Sequence, residues 1–293
     1  MTDASAPAGR YLGLLAERMA KTRTALCLGV DPDPDALPDG FSPDVRGIEA
    51  FARLLIEAAG PHVAAVKANL AFFEAWGSDG MAALERIRAA VPQGVPFIAD
   101  AKRGDIGSTS EAHATAIFDR LGADAVTASP YLGSEAIAPL LDRTDRFVYV
   151  LCRTSNPGAG EFQHLIVRDP DGPRAATGAE PLFLHVARRA RAWAGGRGNV
   201  GLVVGATAPQ ELGLIRTAAP ELAFLVPGIG RQGGDVAAVV AAGPATEGLA
   251  GAAPGGGLLV NISRAIAETA LGAADPGVAI AAAAESWAAR LRV

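Results

Sequence analysis

Eight short runs of apolar and β-branched residues, each followed by a helix-like stretch, constrain this chain more than any other feature. They are 25–31 (ALCLGVD), 62–68 (HVAAVKA), 95–101 (VPFIADA), 124–129 (DAVTAS), 146–152 (RFVYVLC), 199–205 (NVGLVVG), 221–227 (ELAFLVP) and 257–262 (GLLVNI). Amphipathic segments such as VRGIEAFARLLIEAAG and GMAALERIRAAV lie between them. Strands that alternate with helices argue for a parallel sheet with crossover connections. Eight such units closing on themselves make a (β/α)8 barrel, whose chemistry sits at the C-terminal ends of the strands. Half of the residues are hydrophobic and few are aromatic, which suits a sizeable Ala/Val/Leu core. The expected fold is therefore α/β: a single (β/α)8 TIM barrel domain over residues 1–293. An N-terminal helix (YLGLLAERMAKTR) precedes it and an extended segment follows the fifth strand. A doubly wound open sheet is the alternative, and it too places ligands at strand C-termini. No internal repeat is evident.

The polar residues fall where such a fold keeps its chemistry. Asp31, Lys67, Asp100, Lys102, Ser129, Ser155, Gln232 and Arg264 all follow apolar runs. The densest group is FIADAKRGDIGST (97–109). Residues two apart on a strand point to one side, so Asp100 and Lys102 are expected to share a face. Asp105 comes after Gly104, which lets the chain turn. Lys67 ends a second apolar run. Two acids and two ammonium groups at neighbouring strand mouths form an alternating charge array, costly to bury unless paired. A structural ion network is the bland reading; position after apolar strand cores favours a working site.

Further along, LVPGIGRQGGD (225–235) carries glycines at 228, 230, 233 and 234. Their amides suit an anion, and a flexible turn is the alternative reading. Ser263 and Arg264 follow the last strand, and loops after the last two strands of such barrels frequently bind a phosphate. The planar fork of Arg264 can donate two bonds to one. Ser155 or Asn156, after the fifth strand, either contacts a polar ring or shapes a Pro-Gly turn. Asp31, in VDPDPD, either meets a ribose hydroxyl or starts a turn.

The remaining composition narrows the class. The chain has 26 basic and 31 acidic residues, a net charge of −5 that disfavours nucleic acid. No apolar run reaches the roughly 18 residues of a membrane span, and no signal-peptide core is seen. Cys27 and Cys152 lie in strand-like runs without metal-ligand spacing, as expected of buried reduced thiols in a cytoplasmic protein. The histidines at 62, 113, 164 and 185 show no ligand pattern. Residues 156–197 are long for a loop plus helix, and Asp169–Gly178 reads as an exposed insertion, a candidate lid.

The run Ile98–Thr109 resembles the orotidine 5′-phosphate decarboxylase signature, D-x-K-x-x-D-[I/V]-[G/P]-x-T, at every fixed position. Similar stretches recur along the chain: LGVDPDPDALP, VKANLAFFEAWG, TSNPGAGEFQ, VGATAPQEL, PGIGRQGGD and NISRAI. TSNPGAGEFQ and VGAT resemble the longer bacterial branch. Ala68-Asn69 stands where that branch has Pro-Gln, so a contact from Asn69 is not carried over. The resemblance implies loss of CO2 from orotidine 5′-monophosphate to give UMP, the last step of pyrimidine nucleotide synthesis. It implies no metal or organic cofactor, and a homodimer in which Asp105 and Thr109 reach the neighbouring site. It makes Lys102 the proton donor to C6, with Asp100 beside the departing carboxylate. Lys67 and Asp31 would hold the ribose and order the charges, and Ser155 the pyrimidine. Gln232, Ser263, Arg264 and the amides around Gly228 and Gly233 would hold the phosphate. Two rivals remain. Keto-gulonate-phosphate decarboxylase and hexulose-phosphate synthase share the motif but use Mg²⁺ and carry an acid where Lys67 stands. A non-catalytic phosphate-binding barrel is the other.

Overall fold

The computed structural model of the protein describes residues 9–168, 178–230 and 233–293. All eight anticipated runs form strands: β1 (Leu26–Val30), β2 (Ala65–Asn69), β3 (Phe97–Arg103), β4 (Ala125–Ala128), β5 (Phe147–Arg153), β8 (Val200–Val204), β9 (Ala223–Val226) and β10 (Leu259–Ile262). Between β5 and β8 lie the short β6 (Ile166–Val167) and β7 (Glu180–Pro181), an antiparallel pair. The eight longer strands close in the order β1-β10-β9-β8-β5-β4-β3-β2. Since β1 pairs in parallel with both β10 and β2, the sheet has no edge and the open-sheet alternative falls.

Strands covered on both faces read as continuous apolar runs. Every residue of β1, β4, β8 and β9 is buried accordingly. The helices are amphipathic and capped. Val45–Ala59 buries Ile48, Phe51, Ala52, Leu55 and Ile56, one face at helical spacing. Asp44 starts it by accepting from the Arg46 and Gly47 amides at 2.9 and 3.0 Å. Asp275 caps Pro276–Arg290 in the same way, with proline in the first turn.

The expected N-terminal helix spans Arg10–Thr22 and buries Tyr11, Leu12, Leu15 and Met19. Tyr11 stacks on Phe147 with ring centroids 4.6 Å apart, and its hydroxyl lies 3.1 Å from that of Tyr149. The helix thus seals one end of the barrel with apolar surface, and the opposite end is left for polar groups. After β5 the extended segment is the β6–β7 pair followed by the helix Leu182–Ala194. Of the candidate lid, residues 169–177 lie outside the described residues.

Candidate active site

Adjacent parallel strands bring the charge array together. Register pairs Gly29 with Lys67, Lys67 with Ile98, and Asn69 with Asp100, so the C-terminal ends of β1, β2 and β3 lie side by side. The Lys67 side chain, 5% exposed, puts Nζ 2.9 Å from Asp100 Oδ2 and 3.8 Å from Asp31 Oδ1. Lys102 Nζ lies 2.7 Å from Asp100 Oδ1, and its side chain is half exposed. Asp100 is therefore the hub, with one carboxylate oxygen for each ammonium group.

Burial and charge oppose each other here. Burial alone would push the Asp100 carboxyl up, but the Lys67 and Lys102 cations outweigh it and hold the group well below the usual carboxylate range. Burial would likewise pull Lys67 down. Asp31 and Asp100 prevail, and its ammonium is more firmly protonated than a free lysine.

Asp100 and Lys102 do meet, but not by simple strand alternation. Lys102 has φ +50, in the left-handed region that non-glycine residues avoid. The β3–β4 pairing runs Ala99 with Val126 and then Arg103 with Ala128. Four residues of β3 thus advance against two of β4, and the bulge holds both site residues. Gly104 follows with φ +158, where an added Cβ would lie 2.8 Å from the Ser129 carbonyl oxygen. The turn before Asp105 therefore needs glycine.

The array opens into a cavity of about 380 Å³, within the roughly 300–1,000 Å³ usual for small-molecule sites. Asp31, Lys67, Asp100, Lys102, Ser155, Gly228, Ser263 and Arg264 all line it. Gly205 lets Ser155 approach, since an added Cβ would sit 2.8 Å from the Ser155 amide nitrogen. Gln163 pins this loop, donating to Thr154 Oγ1 at 2.8 Å and accepting from its amide at 2.9 Å. Arg264, exposed, begins the short helix Arg264–Ala267 directly after Ser263.

Three predicted residues lie off this wall. Gly233 borders a neighbouring hollow instead. Asp105 accepts from the Ile106 amide at 2.7 Å, and exposed Thr109 lies in the helix Gly107–Ala114. Neither of these two lines the cavity of its own chain. Gln232 lies outside the described residues. Conversely, Asn69, Thr127 and Asn261 line the cavity. Thr127 and Asn261 were legible only as single polar residues in apolar strands, a weak signal because threonine is common in sheets.

Two buried acceptors, Asp31 Oδ1 and Asn261 Oδ1, make no hydrogen bond to any described residue. Such orphaned atoms call for a donor from a ligand or water. No group of three His, Cys, Asp or Glu side chains able to hold a metal occurs among the described residues. Cys27 and Cys152 are buried and unbridged, and burial pushes the Cys27 thiol up to about 12, away from reactive thiolate.

Comparison with known proteins agrees with this geometry. A family model described as "Orotidine 5'-phosphate decarboxylase / HUMPS family" matches residues 24–283. An orotidine 5′-phosphate decarboxylase of Thermomicrobium roseum is 50% identical over 252 residues, covering 86% of this chain and 84% of that protein. One from Natronomonas pharaonis is 45% identical, with 90% and 91% covered. The solved Leishmania donovani OMP decarboxylase superposes with a TM-score of 0.77 at 40% identity, covering 96% of this chain and 98% of that one. With its motif, its barrel and these relatives in agreement, the chain belongs to the orotidine 5′-phosphate decarboxylase / HUMPS family.

Proposed function

We propose that the protein decarboxylates orotidine 5′-monophosphate to UMP and CO2, the last step of pyrimidine nucleotide synthesis. The observation that carries this reading is the Asp31–Lys67–Asp100–Lys102 array, set in a cavity with Ser263 and Arg264 at its rim. The family also contains sugar-phosphate enzymes. Lys67 separates this chain from the metal-using ones, because an ammonium cannot replace a carboxylate as ligand to a hard cation.

The chemistry follows from charge. The C6–carboxylate bond breaks, CO2 leaves neutral, and the electron pair stays in an sp² orbital at C6 that the ring π system cannot delocalise. Lys102 stabilises that charge and gives C6 a proton. The amine left behind regains its proton from water. Asp100 holds both ammonium groups and stands beside the departing carboxylate, disfavouring the ground state more than the transition state. The orphaned Asp31 Oδ1 accepts a ribose hydroxyl. Ser155 meets the pyrimidine, while Gln232, Ser263, Arg264 and the amides near Gly228 and Gly233 hold the phosphate. Binding energy at that remote group supports the reacting centre. The working unit is a cytoplasmic homodimer of single barrel domains. Asp105 and Thr109 serve the neighbouring site, a reading supported by their place outside their own cavity beside Ile106, 63% exposed.

The test follows the loss of orotidine 5′-monophosphate absorbance with purified protein, with and without EDTA. Equal turnover in both is expected. Loss in EDTA with recovery in Mg²⁺ would favour a sugar-phosphate reaction, and no turnover in either would leave a phosphate-binding barrel.

A further inference from the structure

We propose that Thr127 is a positioning residue of this reaction, acting through Asp100 and Lys102. The inference rests on the decarboxylase reading. Thr127 lies on β4 and is 2% exposed. Its Oγ1 accepts from the Ala101 amide at 3.1 Å and the Lys102 amide at 3.0 Å, and lies 2.8 Å from Asp100 Oδ1. A hydroxyl has one proton and two acceptor sites. With both acceptor sites facing amides, its proton can only be given to Asp100.

One hydroxyl thus repairs the bulge where the β3–β4 ladder is broken. The Ala101 amide is buried and the Lys102 amide part-buried, and without the hydroxyl both would lose their partner at a cost in stability. The same bonds hold Lys102 in its left-handed conformation, a strained state that persists only where its surroundings enforce it. That backbone turn sends the Lys102 side chain back over Asp100. Thr127 also fixes the carboxylate rotation, so that Oδ1 meets Lys102 while Oδ2 meets Lys67. Without the hydroxyl, a water or a relaxed bulge would move Nζ relative to C6.

The test compares Thr127→Val, Thr127→Ser and Thr127→Cys with the wild type by turnover of orotidine 5′-monophosphate, UMP affinity by calorimetry, and thermal unfolding. Valine keeps the β-branched shape and removes the hydroxyl. Its kcat should fall by about 10²-fold, as expected of a misplaced catalytic group, with KM and UMP affinity within about threefold. Serine should restore kcat to within about threefold of wild type. Cysteine, a weak donor and acceptor, should fall between. If valine does not fold, cysteine carries the test. Full kcat in the folded valine variant, or in cysteine where valine does not fold, overturns the inference. So does equal impairment of serine and valine, which would mean that methyl packing matters and not the hydroxyl. A wild type without turnover would instead overturn the decarboxylase reading.

Discussion

Lys67 and Arg216 are both buried cations, at 4% and 7% exposure, yet their surroundings differ. Lys67 stands at the C-terminal mouth of the barrel, against two carboxylates on the wall of a cavity. Arg216 ends the helix Pro209–Ala218 at the other side of the barrel, where the chain enters β9. Its guanidinium donates to the carbonyls of Ala219, Leu222 and Gly243 at 2.8, 2.8 and 2.5 Å and lies 3.6 Å above the Phe224 ring. Carbonyls and a ring can hold a charge in place, but they carry no net charge of their own to act on a ligand. Carboxylates and a second ammonium group in a cavity can reorganise charge around a ligand. The partner, not the burial, separates a structural cation from a chemical one.

The contrast breaks most easily at Lys102. Lys102→Ala should lower turnover by about 10⁴-fold or more, since it removes both the proposed proton donor and the charge proposed to stabilise C6. UMP affinity and melting temperature should change little, because half of that side chain is exposed. A variant with near-normal turnover would refute the assigned mechanism.

Asp105→Asn should be nearly inactive as well, although its own chain keeps it away from the cavity. On the proposed homodimer, mixing it with Lys102→Ala under subunit exchange, verified by mass spectrometry, would give dimers in which one site carries both lesions and the other none. Activity should return to at most about half of the sites in each mixed dimer. Exchange without recovery would mean that Asp105 serves its own site.

Arg216→Met should do the opposite of Lys102→Ala. It leaves buried carbonyls without a donor and should cost about 3 kcal/mol in chemical unfolding, with kcat of the folded fraction unchanged. A marked fall in kcat would show that the two ends of the barrel are coupled.

The smallest effect concerns acid. Asp100 has a depressed folded pKa, so its contribution to stability is complete above the unfolded value of about 3.9 and is lost as pH falls below it. Melting temperatures measured from neutral pH down to about pH 3 should therefore fall at the acid end. Asp100→Asn should flatten that part of the curve. An unchanged acid slope in the variant would place the acid sensitivity in other carboxylates.

Much of this molecule follows from local order in the chain. Strand and helix periodicities lie within a few residues of each other, so all eight barrel strands were legible. The charges at strand ends pointed to Asp31, Lys67, Asp100 and Lys102 because a parallel barrel keeps ligands at one end. The tertiary structure decided what depends on register between distant segments. Thr127 is 27 residues from Asp100, and only the β3–β4 slip places its hydroxyl under the bulge. Lys102 reaches Asp100 through a left-handed backbone that the alternation rule does not predict. Asp31 Oδ1 is an unsatisfied acceptor only because β1 and β2 set Lys67 at 3.8 Å, close enough for charge and too far for a hydrogen bond. Chain-local patterns select a fold because they act before the strands pair; distances between side chains exist only once they have.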